Sequence, residues 1–186
     1  MTVEEIFKKL SAHMIKGFMF HEQMTDYFGF LNLHGYESCH HYHATKEYMA
    51  MRELHRFYLD HYGRLIEEDQ ISNPAVIPSS WYRYTKDQVD PKTKRQGVKD
   101  AIERWVAWET EALDLATNMS RELNTINENV AAKFVLDMAC DTAKELQWAK
   151  KKHIDFVAVD YDIGFIIGQQ DHYHDWYKKA MKKLTK

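Results

Sequence analysis

The stretch EEDQISNPAVIPSSWYRYTKDQVDPKTKRQG, from Glu67 to Gly97, decides the architecture. It holds all three prolines of the chain, Pro74, Pro78 and Pro91, together with Ser72-Asn73 and Ser79-Ser80, and it has no sustained hydrophobic period. A proline inside a helix removes a backbone hydrogen bond and collides with the preceding turn, so no helix runs through this segment. On both sides the chain is free of proline and periodic at helical spacing. The expected layout is two helical blocks joined by a crossover over residues 67–97. Connections that long inside a compact domain are uncommon and have a structural role.

Working outward, the first block divides at Leu33-His34-Gly35-Tyr36, where Gly35 is expected to supply a left-handed cap. A helix over about 2–34 buries Ile6, Phe7, Leu10, Met14, Met24 and Phe28. A second, over 38–66, turns Ala44, Met51, Leu54 and Tyr58 inward. The second block gives a helix over 98–126 with Val98, Ile102, Trp105, Ala112 and Leu123 on one face. Asn127-Glu128-Asn129 breaks it, and another helix over 129–157 carries Ala131, Val135, Met138 and Phe156. A fifth amphipathic segment, 161–184, ends in lysines, which suit the negative end of a helix dipole. The fold class is therefore all-α, a single helical domain over 1–186.

Composition narrows the function. With 45% hydrophobic and 28% charged residues the chain has ample core material and no signature of disorder. A net charge of −3 gives no global reason to bind nucleic acid or an anionic membrane. No apolar run approaches the roughly 20 residues that cross a bilayer. Charges at Glu4, Glu5, Lys8, Lys9 and Lys16 break any signal-peptide core, so the expected compartment is the cytoplasm. Cys39 and Cys140 are too few for a disulfide framework and read as reduced thiols. No phosphate-binding glycine loop, nucleophile elbow or paired Cys-x-x-Cys motif occurs. The oddity is eleven histidines.

Ionisable residues on apolar stripes carry the chemistry, because burying a charge is costly unless it is paired or metal-bound. At about 100° per residue, each of the four long helices supplies one inward candidate: His21, Glu47, Glu109 and Glu145. Glu22 points to the flank beside His21, His40 lies a heptad before Glu47, and Asp141 stands one turn before Glu145. If the crossover carries the chain back along the bundle, the three glutamates share one level and His21 lies about one turn lower. Carboxylates with a minority of imidazole favour iron or manganese over structural zinc. A second cluster, Cys39-His40-His41-x-His43 with His34 before it, reads either as a short metal-binding tract or as a solvated helix start.

At these residues the chain resembles the ferritin-like superfamily, two antiparallel helix pairs joined by a long crossover. The resemblance implies a non-haem iron or manganese centre of one or two ions and oxidase- or ferroxidase-type chemistry. Its ligands would be His21, Glu47, Glu109 and Glu145, with Glu22, His40, His43 and Asp141 as secondary candidates. The superfamily places His three residues after two of its glutamates. Here Ala50 follows Glu47 and Trp148 follows Glu145, while Glu37-Ser38-Cys39-His40 has the motif at a helix start and Asp171-x-x-His174 is a looser variant in the last segment. The expected partners are metal ions, with a homo-oligomer or cage open and no nucleic acid or membrane. The competing reading is a metal-free helical interaction module whose interior polar residues set helix register.

Overall fold

A computed structural model describes residues 1–67 and 70–184, the side chains of 171, 172 and 174 excepted. Five long helices form: α1 (Val3–Phe30), α2 (His34–Tyr62), α3 (Pro91–Thr125), α4 (Asn129–Ala158) and α5 (Ile163–Leu184). The Asp171-x-x-His174 pair lies outside the described side chains.

Helix ends follow local chemistry. Thr2 and Glu5 form a reciprocal capping box at the start of α1. Asp90 caps α3 through the amides of Lys92 and Thr93, and Pro91 fills the first helical position, where its missing amide costs nothing. For that reason α3 begins at Pro91 and not near Val98. The turn between α1 and α2 spans residues 31–33, four residues earlier than expected, and is closed by Asn32, in the left-handed conformation at φ 58°, while Gly35 lies inside α2. Asn127, φ 64°, does the same between α3 and α4. In both turns the amide three residues past the helix reaches back, Leu33 N to Phe28 O at 2.9 Å and Glu128 N to Leu123 O at 2.9 Å.

The two hairpins, α1–α2 and α3–α4, pack face to face, and α5 lies along α2. Residues that cluster across the bundle show its polarity. Tyr27 and Leu31 of α1, Cys39 of α2, Val98 and Ile102 of α3 and Phe156 of α4 share one end. Phe7, Tyr58, Leu123 and Ala131 share the other. The crossover thus returns the chain to the end where α2 began. Gln23 of α1 holds it through Asn73, Pro74 O and the amide of Val76, and Arg104 of α3 bonds Ala75 O. Its Trp81 is buried against Tyr27 and over Gly97, where a Cβ would stand 2.7 Å from the indole. Gly35 serves a similar close approach: a Cβ there would meet the backbone oxygen of Gln170 at 2.4 Å, so its absence lets α5 seat on α2. Among the described residues no helix is long and apolar enough to cross a membrane.

Candidate metal centre

The two candidate clusters of the sequence meet as one. His40 and His43 stand on the inward face of α2, three residues apart and therefore on one side of the helix. Both are buried, His40 completely. They face His21 of α1, also completely buried, with imidazole centroids 5.2 Å from His21 to each and 6.2 Å between His40 and His43. Nδ1 of His21 and Nδ1 of His40 share a 3.0 Å hydrogen bond. Phe28 stacks on His40, and Trp105 packs edge-on against His40 and His43.

Carboxylates arrive from the opposite hairpin. Glu109 of α3 is buried, receives the Trp105 indole N–H at 2.9 Å, and brings the same oxygen within 3.5 Å of His21 Nε2. Arg104, which has the length to reach Glu109, turns outward to the crossover instead. Glu145 of α4 comes 3.3 Å from His43 Nδ1 and is held on its other oxygen by the Lys46 ammonium. Glu47, on the same helix face as His43, bends into a recess against Gly17, whose absent side chain makes room: a Cβ at Gly17 would stand 2.9 Å from Glu47 Cδ.

Charges respond to this crowding. Burial holds His21 below its ordinary value even though Glu109 favours its charged form. Burial and the neighbouring His21 and His43 push His40 well below. For His43 burial acts in the same direction but the Glu145 carboxylate outweighs it, raising His43 well above the imidazole range. Glu145 shows the converse: burial would raise it, and His43 with Lys46 hold it below the usual carboxylate range. Glu47 is raised well above, first by burial and then by the Glu145 and Glu109 charges.

Of the remaining candidates, Glu22 is half-buried on the flank and faces His41 at 3.4 Å, and Asp141 pairs with Lys144 at 2.6 Å on the surface. Neither enters the cluster. Glu37 pairs with His34 at the helix start, so the Glu37-x-x-His40 pattern does not act as a unit. His21 sits beside Glu109 and not a turn below it. Trp105, the donor that holds Glu109, lies outside the candidate set, and its signal in the sequence is the four-residue spacing of the two on one helix. Cys39 is buried beneath the cluster and donates to the Tyr177 hydroxyl at 2.7 Å, and burial pushes its thiol up.

The solved structures that resemble this arrangement share its topology. A humanized archaeal ferritin matches at a TM-score of 0.76 and 13% identity, covering 92% of this chain and 94% of that one. The fold is ferritin-like. An engineered closed form of the Archaeoglobus fulgidus ferritin matches at 0.75 and 13% identity, over 94% and 96% of the two chains. An open-pore ferritin from the same hyperthermophilic archaeon matches at 0.74 and 14%, over 91% and 93%. No family model and no curated protein matches the sequence. This ferritin-like chain thus keeps the fold at an identity where side chains are free to differ.

Donor chemistry is the test of a metal. Three buried imidazole nitrogens, His21 Nε2, His40 Nε2 and His43 Nδ1, make no hydrogen bond. His21 Nε2 and His43 Nδ1 face the Glu109 and Glu145 carboxylates at 3.5 and 3.3 Å, while an unsatisfied buried atom such as His40 Nε2 is destabilising by about 1–3 kcal/mol, which a cation relieves. Among the described residues no three His, Cys, Asp or Glu side chains form a ready coordination shell. The donor types and their burial fit a nitrogen-rich ion site; ligation requires rotamer changes within the cluster.

Proposed function

We propose that the chain is a ferritin-like metal-binding protein whose centre lies between α1, α2, α3 and α4 and takes iron, or manganese in its place, as one or two ions. The observation that carries this reading is the meeting of three imidazoles and two carboxylates from all four helices, with His21, His40 and Glu109 buried and with His21 Nε2, His40 Nε2 and His43 Nδ1 outside any hydrogen bond. His21, His43, Glu109 and Glu145 would hold the ion, Glu47 would complete the carboxylate set, and His40 would fix the ring orientation of His21. Imidazole and carboxylate together suit first-row transition ions. A bound iron or manganese supplies one-electron chemistry toward oxygen or peroxide, which makes an oxidase or ferroxidase-type reaction the expected activity.

The chain's own residues have separable tasks in that reading. Trp105 fixes the Glu109 carboxylate from the α3 side. Lys46 orients Glu145 and keeps it ionised. Phe28 and Trp105 cover His40, so its contact with the buried His21 acts in a low-dielectric setting. Cobalt(II) titration of metal-free protein is the test. Visible ligand-field bands that saturate in the wild type and vanish in His21→Ala and Glu109→Ala support the centre. Protein that stays colourless with cobalt(II) defeats it and leaves the metal-free interaction module as the better reading.

A further inference from the structure

Beyond the buried cluster, a cavity of about 420 Å³ opens between α2, α4 and α5. It lies in the size range of small-molecule sites, roughly 300–1,000 Å³. Five aromatic side chains form its walls, Tyr42 from α2, Trp148 from α4, and Tyr173, Trp176 and Tyr177 from α5. They meet edge to face: Tyr42 and Trp176 at 66° with centroids 5.9 Å apart, Trp148 and Tyr173 at 80° and 6.1 Å. His43 and Glu145 also line it, so the cavity reaches the polar cluster.

Charge decides what the cavity takes. The charged side chains lining it already engage one another, Lys46 and His43 both on Glu145 and Lys144 on Asp141, so an entering ion would have to displace an existing pair. Aromatic walls alone would also suit a cation. Here the buried Lys152 ammonium already lies 4.4 Å from the Tyr173 ring centroid and 5.9 Å from that of Trp148. A second cation beside it would be repelled. An uncharged ring avoids both penalties and packs in offset or edge-on contact with the walls. Glu145 retains acceptor capacity beyond its contacts with Lys46 and His43, since a carboxylate accepts at about four lone-pair positions. That capacity matches one hydroxyl.

We propose that this cavity binds a small uncharged aromatic molecule carrying a hydroxyl, a phenol by class, with its ring between Trp148, Trp176 and Tyr42 and its hydroxyl toward Glu145. The site stands on its own geometry. Its use as the substrate site of the metal centre rests on the function proposed above, and metal-free protein separates the two.

The experiment is calorimetric or fluorescence titration of the full-length, metal-free protein with p-cresol, set against benzoate, tetramethylammonium and cyclohexanol. The expected result is a p-cresol Kd on the order of 1 mM or tighter, with each of the other three at least about tenfold weaker. Trp176→Ala, a change at a half-exposed wall residue that leaves the core packed, should weaken p-cresol at least about fivefold while the circular dichroism spectrum stays unchanged. Folded wild type that does not bind p-cresol at about 10 mM, tighter binding of tetramethylammonium or benzoate, equal binding of cyclohexanol, or no effect of Trp176→Ala would each overturn the proposal. Repeating the titration with cobalt(II) present reads the metal centre separately. Cresol binding without cobalt bands keeps the cavity and rejects the metal, and the reverse result does the opposite.

Discussion

The two ends of the bundle are built from the same four helices and differ in what those helices point inward. At the end formed by the start of α1 and the end of α2, Ile6, Phe7, Leu54, Leu123 and Val135 are wholly buried and nearly all apolar. Phe7 alone touches Phe57, Tyr58 and Tyr62. Toward the other end the same helices turn His21, His40, His43 and Glu109 into a layer of equal burial. The first arrangement needs no ligand to be favourable. The second strands imidazole nitrogens, and charged or polar groups held that way lower stability unless something occupies them. Both ends hold an apolar cluster, and only the second has a polar layer set within it.

Substitutions break that contrast in graded steps. Phe7→Ala should cost about 3–5 kcal/mol, the largest effect, because it opens a cavity in a fully packed cluster; urea unfolding monitored by circular dichroism measures it. At the polar end, Glu109→Ala removes the acceptor of Trp105 and the neighbour of His21, for about 2–3 kcal/mol in the same assay. His40→Leu in metal-free protein removes the unpartnered His40 Nε2 but also takes the hydrogen-bond partner from His21 Nδ1, so the net loss should be about 1 kcal/mol in the same assay.

A pH series sharpens the comparison. His13 of α1 stacks on Trp108 with centroids 4.6 Å apart, and burial, assisted by Lys16, depresses it to about 4. The unfolded chain then takes up the proton first, so His13 contributes no penalty above its ordinary value of 6.5 and destabilises progressively as pH falls toward 4. Between pH 7 and pH 5 the wild type should lose up to about 2 kcal/mol more than His13→Gln, read from urea midpoints at the two pH values. The smallest stability effect belongs to Gly17→Ala. Its methyl group would displace Glu47, while helix propensity gains about 1 kcal/mol, so the net change should stay within about 1 kcal/mol as metal affinity falls.

Much of the architecture was legible because it rests on crude signals. Prolines confined to 67–97 and stripes at helical spacing do not depend on side-chain detail. Four inward ligand types were also readable from phase. The fusion of His40 and His43 with His21 was not, because a histidine run at a helix start has the same pattern whether it faces water or a neighbour. Their positions relative to Glu47, seven and four residues before it, were the available clue. Level along the axis was harder still: Glu47 leans toward Gly17, a displacement set by the space a missing Cβ leaves on another helix. The aromatic cavity depends on how α5 crosses α2 at Gly35, which amphipathic periodicity does not encode.

Elemental analysis tests the central claim most directly, on protein purified without an affinity tag or chelator and then titrated with Fe(II). The expected result is about one or two iron or manganese ions per chain, a melting temperature that rises on metal addition, and loss of both in a His21→Ala/Glu109→Ala variant. A wild-type protein free of metal, with a melting temperature unmoved by Fe(II), Mn(II) or Zn(II), would contradict it.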